Sequence, residues 1–228
     1  MAIILHIETA TQCCSVAIAQ DGVLLYKKEI NEQNVHARLI TLFIDEVISN
    51  SITDYAKIDA VAVSRGPGSY TGLRIGVSTA KGLCYALDKP LITVDTLQAM
   101  ADGFKAQHKI GGDKILLCPM IDARRMEVYC ALYDENSSLV LPTEAKIMDE
   151  HSFINELSQH KIYFFGDGAA KCSHALSAQS NAIIVDNFIN SAGDMCTIAY
   201  QKFIANQFED VAYFEPLYLK EFMVLSKT

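Results

Sequence analysis

The chain is 228 residues long, 50% hydrophobic and 20% charged, the composition of a well-cored protein with room for one large domain or two modest ones, and disorder is excluded. Its formal net charge of −8 argues against gripping RNA or DNA unaided, because nonspecific nucleic-acid affinity comes mainly from neutralising phosphates with Lys and Arg. The pairs Lys27-Lys28 and Arg124-Arg125 read as solvated surface, and no basic block offsets the balance. No run of about 18 apolar residues is present to span a membrane, and residues 1–7 lack a basic leader. Seven cysteines without a CxxC pair read as small buried groups in a reducing compartment. A cytoplasmic protein without membrane contact is expected.

In chain order, residues 3–7, 15–19 and 23–30 read as three strands, the last two joined by the hairpin pair Asp21-Gly22. A helix is predicted over 35–49, with Asn34 as cap and Val35, Leu39, Leu42, Phe43, Val47 and Ile48 as apolar stripe. Strand 58–63, helix 70–87, strand 91–94 and a helix from Asp95 or Thr96 to about Phe104 complete a βββαβαβα run. The second half reads in the same order. Strands 114–121, 127–133 and 139–141 precede a helix near 149–158, strand 162–165, a helix from Ala169, strand 182–185 and a helix from Ser191 to about Asn206. The repeat is one of plan, not of spelling, and its best support is that Gly66-Pro-Gly68 and Gly166-Asp-Gly168 fall at corresponding strand-to-helix turns.

The polar break at 105–113, with Gly111-Gly112, is the natural boundary. The expected division is a first lobe over 1–106 and a smaller or degenerate second lobe over 107–228, whose C-terminal tail packs back on the first. A duplicated βββαβαβα unit with glycine turns at equivalent crossovers is the organisation of actin, hexokinase and Hsp70, where nucleotide binds between the halves. The expected fold class is therefore α/β, two lobes of that architecture, an analogy that licenses no activity by itself.

The most informative stretch runs from Ser64 to Gly76, a glycine-rich turn between a buried strand and a helix. Free amides there can point at an anion, and glycine also lets backbone approach backbone with no Cβ in the way. Gly66, Gly68, Ser69, Thr71 and Arg74 are the candidate anion or nucleotide turn, although the spelling is neither a Walker loop nor GxGxxG. Ser69 reads as a helix cap. On the helix that follows, Gly72, Gly76 and Ala80 recur every four residues, so one face is nearly bare backbone. Glycine costs roughly 1 kcal/mol per helical position relative to alanine, so something packs very close, either a partner helix or an element of the same chain.

The stretch Gly66-Pro-Gly-Ser-Tyr-Thr-Gly-Leu-Arg-Ile-Gly76, with Thr79-Ala-Lys-Gly82, Ile121-Asp-Ala-Arg124 and Glu127-Val-Tyr129, closely resembles the TsaB (YeaZ) family. Ile7-Glu-Thr-Ala10, Asp59-Ala-Val-Ala-Val63, Gly166-Asp-Gly-Ala169 and Pro216-Leu-Tyr-Leu-Lys220 extend the likeness over nearly the whole chain. The resemblance implies a non-catalytic dimerisation subunit, needed to place a threonylcarbamoyl group on the adenosine next to the anticodon in tRNAs reading codons that start with A. It implies pairing with a catalytic TsaD-like paralogue, a TsaE-like ATPase joining the pair, a homodimer when alone, and tRNA contact only through the complex. ATP and a metal are implied for that complex, and no cofactor for this chain alone.

A catalytic subunit of this fold would grip its metal with a HxxxH pair on one helix face, and the six histidines here make none. His36 stands where similar proteins carry His-Ser-Glu, but Ala37 and Arg38 follow it, so it reads as a helix-surface histidine. GxSxG is absent around Ser69, so neither a catalytic nor a metal residue is assigned. Glu8 reads as a turn-capping carboxylate or a metal-phosphate neighbour, and Asp122 with Arg124 as a salt bridge. The resemblance and the small-residue stripe together place a partner interface on Val35, His36, Leu39, Ile40, Phe43, Gly72, Gly76, Thr79, Ala80 and Leu83. The rival readings are a metallopeptidase of the glycoprotease-like superfamily and a small-molecule kinase of the same fold.

Overall fold

The computed structural model describes residues 1–51, 54–110, 112 and 114–220. Gly111 of the expected boundary pair, Asp113, and residues 221–228 of the expected second lobe lie outside the described residues. Strands β1 (Ile3–Glu8), β2 (Cys13–Gln20) and β3 (Val23–Asn31) form an antiparallel meander. The β2–β3 turn places Asp21 and Gly22 at φ 51° and 81°, the left-handed pair that a two-residue hairpin needs. Helix α1 (His36–Asn50), β4 (Ala60–Gly66), α2 (Tyr70–Leu87), β5 (Leu91–Asp95) and α3 (Thr96–Gln107) follow. Strands β4 and β5 add in parallel to give the order β3-β2-β1-β4-β5.

The second half contains β6 (Ile115–Asp122), β7 (Glu127–Asp134), β8 (Leu139–Ile147), α4 (Ile154–Leu157), β9 (Lys161–Phe165), α5 (Ala169–Leu176), β10 (Ala182–Val185) and α6 (Cys196–Ile204). Its sheet order, β10-β9-β6-β7-β8, is strand for strand the order of the first sheet read from the other edge. The duplicated βββαβαβα plan of the actin, hexokinase and Hsp70 architecture is thus present in the topology.

Strand alternation decides what covers each face of the first sheet. Leu5 and Ile7 of β1 pack with Ile40, Phe43, Ile44, Val47 and Val77 under α1 and α2, while Ile4 packs on the opposite face with Met195 and Ile198. In α1 the buried residues fall at i, i+3, i+4, i+7 and i+8 from Ile40, the arc of a helix lying on a sheet. The opposite face of each sheet is covered by a helix from the other half. Leu97, Met100, Ala101 and Phe104 of α3 pack with Leu117, Ile121 and Phe165 of the second sheet. Ile198 and Ala199 of α6, with Ala192 and Met195 before it, pack on Ile4, Ala17, Ala60, Ala62, Ile92 and Val94 of the first. Phe104 stacks on Phe165 at 4.1 Å between centroids, and Phe188 meets Phe165 edge-on at 5.0 Å. Such fully buried aromatics contribute about 1.5–3 kcal/mol each by burial and somewhat more by ring geometry.

Four local expectations are corrected. Asn34 does not cap α1: it sits at φ 60°, and Val35 is the N-cap residue, with no side-chain cap. Strand β8 runs on to Ile147 past Pro142, which the outermost strand of a sheet tolerates because its free edge needs no donor. The helix expected near 149–158 shrinks to the single turn of α4, because Asp149 and Ser152 close a turn and Phe153 adopts φ 59°. The last helix opens as a tight 3₁₀ turn over Ala192–Met195, where Ser191 and Asp194 form a reciprocal capping box.

Candidate functional site

The turn after β4 is filled by its own chain. The Ser69 amide donates to the Ala10 carbonyl at 2.7 Å, and the Ser69 hydroxyl caps α2 by accepting from the Gly72 amide at 3.2 Å. A Cβ on Gly66, which sits at φ 110°, would lie 2.6 Å from the Leu217 carbonyl oxygen. On Gly68 it would lie 2.7 Å from the Ala10 Cβ, on Gly72 it would run into the Thr9 carbonyl, and on Gly76 into the Thr9 hydroxyl. Close approach by the β1–β2 turn and the C-terminal segment is thus what these four glycines serve.

Glu8 lies at the base of this turn, 1% exposed. It accepts the Ala10 amide at 2.6 Å and the Ser64 hydroxyl at 2.8 Å, and burial raises its pKa. Beside it the Thr11 hydroxyl donates to Asn190 Oδ1 at 2.5 Å, tying the first turn to the chain segment that returns from the second half. The Ser69 amide is thus spent on the Ala10 carbonyl and Glu8 is closed off from solvent, while Thr71 and Arg74 are exposed near the start of α2. Among the described residues, no group of three His, Cys, Asp or Glu is arranged to hold a metal ion. The seven cysteines are all free and buried.

The equivalent turn in the second half is closed in the same way. A Cβ on Gly166 would run into the Met120 carbonyl, and one on Gly168 would lie 2.9 Å from the Ile121 carbonyl carbon. Asp122 does not pair with the Arg124 side chain: it accepts the Arg124 amide at 2.8 Å and forms its ion pair with Lys171. Asp167 accepts the Asp122 amide at 3.0 Å, and burial raises its pKa.

The structure separates the residues expected at a partner interface. Val35, His36, Ile40, Phe43, Gly72, Gly76 and Ala80 are enclosed by the chain itself. They are corrected to interior positions, the small stripe of α2 being the seat of Thr9. His36 is buried rather than on the surface, its Nε2 3.3 Å from the Cys13 carbonyl, and burial lowers its pKa. Leu39, Thr79 and Leu83 remain at the surface, half-buried. Around them lies an outward face that the stripe did not reveal: Leu42 is 58% exposed, Tyr85 is 87% exposed, and a Cβ on Gly82 would meet nothing within 4 Å. The signal was available, since Ser78, Gly82 and Tyr85 share the helix face away from the buried Val77 and Cys84.

Beyond α6 the chain forms a strap along α2. Lys81 Nζ donates to the Ala212 and Phe214 carbonyls at 3.0 and 3.2 Å, and the Leu217 amide donates to the Arg65 carbonyl at 2.7 Å. The Tyr218 ring lies 4.7 Å from that of Tyr70, and Lys220 forms an ion pair with Glu127 of β7. The strap therefore runs from β4 and α2 of the first half to β7 of the second. No helix of the described residues is long and apolar enough to cross a membrane.

A family model described as "TsaD: tRNA N6-adenosine threonylcarbamoyltransferase" matches residues 29–220. The chain is 35% identical over 224 residues to the tRNA threonylcarbamoyladenosine biosynthesis protein TsaB of Escherichia coli (strain K12), covering 95% of this chain and 94% of that one. It is 29% identical over 228 residues to the protein of the same name from Haemophilus influenzae, covering 95% and 93%. The solved structure of YeaZ from Pseudomonas aeruginosa superposes with a TM-score of 0.80 at 22% identity, over 96% of this chain and 100% of that one, a likeness of fold. The likeness to the Escherichia coli protein along nearly the full length of both shows the family: this chain belongs to the TsaB family.

Proposed function

We propose that the chain acts in tRNA threonylcarbamoyladenosine biosynthesis as a non-catalytic subunit, pairing with a TsaD-like paralogue that carries out the transfer to the adenosine next to the anticodon. A TsaE-like ATPase joins that pair, tRNA meets the assembled complex rather than this chain, and the chain pairs with itself when alone. Residues 1–106 form the partner-binding lobe in this reading, and the cytoplasm is its compartment. The observation that carries it is the outward face of α1 and α2, where Leu42 and Tyr85 stand exposed beside half-buried Leu39, Thr79 and Leu83. The absence of a HxxxH pair from the sequence and the filled glycine turn support a partner role over catalysis by this chain.

Leu42→Asp tests the face. It is expected to weaken association with the TsaD-like subunit on the order of tenfold or more, read by titration calorimetry, with the melting temperature held because Leu42 is exposed. Unchanged association would remove α1 from the interface, and threonylcarbamoyl transfer by the chain alone would remove the non-catalytic reading.

A further inference from the structure

On the rim of the outward face, α2 and the C-terminal strap enclose a groove of about 200 Å³. Arg74, Ser78 and Lys81 form its α2 wall, and Phe214, Pro216 and Tyr218 its strap wall. The exposed Arg74 stacks 4.2 Å over the Tyr70 ring, hydrogen-bonds the Tyr218 hydroxyl of the strap, and has no ion pair among the described residues, which leaves its charge without a carboxylate partner. Lys81 directs its ammonium at two strap carbonyls, which fixes the wall without neutralising the charge. Glu215 is the one carboxylate among the described lining residues. The groove therefore carries surplus positive charge in a chain whose net charge is −8. Arg74, Ser78 and Gly82 follow every four residues along α2, with Tyr85 three further on, so the groove continues the exposed helix face.

We infer that this groove receives an aspartate or glutamate side chain of the paralogous subunit, an inference that rests on the α1–α2 reading above. The planar guanidinium of Arg74 matches a carboxylate through two parallel N–H···O bonds. The Ser78 hydroxyl adds a further donor, and the Phe214 and Pro216 wall takes the aliphatic stem. A nucleic-acid phosphate is the poorer occupant, because two cations on so acidic a chain cannot supply the several phosphate contacts that backbone affinity needs.

The test measures association of the full chain with the TsaD-like subunit for Arg74→Glu, Arg74→Lys and Leu42→Asp, at low and high salt. Arg74→Glu is expected to weaken association on the order of tenfold at low salt, with the loss shrinking as salt rises, and Arg74→Lys to lose a smaller part of the affinity, since an ammonium keeps the charge but not the two parallel N–H···O bonds. Should Arg74→Glu lower the melting temperature, Arg74→Gln reads the charge alone. Native affinity in the charge variants while Leu42→Asp abolishes pairing would overturn the groove and leave the α1–α2 face standing. Native affinity in Leu42→Asp as well would overturn the face itself. Intact pairing in Arg74→Glu with weaker tRNA retention by the assembled complex would overturn the carboxylate in favour of a phosphate.

Discussion

The two halves share a strand order but not their outer helices. On the first sheet α1 and α2 run 15 and 18 residues, whereas their counterparts on the second, α4 and α5, run 4 and 8. Both sheets are nonetheless sealed: the second core closes over Phe153, Leu157, Cys172 and Leu176, supplied by short helices and a turn. The longer pair buries a longer stretch against its sheet, Ile40 to Ile48 on α1 and Gly72 to Cys84 on α2, and turns a correspondingly longer outward face with Leu42 and Tyr85 to solvent, for which the second half has no counterpart of that length.

The largest effect expected on this comparison comes from Phe104→Ala. Phe104 belongs to the first half in sequence and to the second in packing, so the change should cost about 3–5 kcal/mol and lower one shared unfolding transition. Two separate calorimetric transitions would show the halves to be independent. Next, Gly68→Ala should cost about 2–3 kcal/mol and Gly168→Ala less, measured by urea unfolding. The first glycine is crossed by Ala10 at its Cβ and carbonyl, while the second has its nearest atoms at 2.9–3.1 Å, one of them the movable Val128 methyl. Equal costs would mean that the two turns are packed alike.

The smallest expected effect is one of pH. Asp194, in the second half, is pressed against the bare Gly103 of α3. Burial, with the Glu8 and Glu29 carboxylates of the first half nearby, pushes its pKa up to about 7, against the opposing Ser191 amide and Lys27. An acid whose folded pKa is raised favours the native state while protonated. Its contribution therefore falls as pH rises from about 4 to about 7 and stays lost above that. Buried His6, lowered to about 4, acts in the opposite sense, losing stability as pH falls from about 6.5. The difference in stability between the native chain and Asp194→Asn across pH 5 to 8 isolates the aspartate, and the variant should gain relative stability towards pH 8. A flat difference would place Asp194 in contact with water.

Much of this was legible in the sequence, and the limits have physical causes. Asp21-Gly22, the alternating strands and the paired glycine turns are local signals, and they gave both halves their plan. The glycines of α2 announced a close approach, but the approaching atom belongs to Thr9, more than sixty residues away in sequence, and periodicity carries no information about distance of that kind. Leu42 entered the apolar stripe because a wheel counts hydrophobicity without knowing which arc the sheet occupies. The strand expected over 139–141 falls short of Ile147, since nothing local says that β8 is outermost. The resemblance supplied the family, and the arrangement of the face had to come from the fold.

The exchange of α3 and α6 also orders events in time. The residues that cover Ile4, Ala62 and Val94 on one side are Ala192, Met195 and Ile198, which follow all five strands of the second sheet along the chain. Domains usually condense as they emerge during synthesis, but this face of the first sheet gains its cover only after the second sheet has been made.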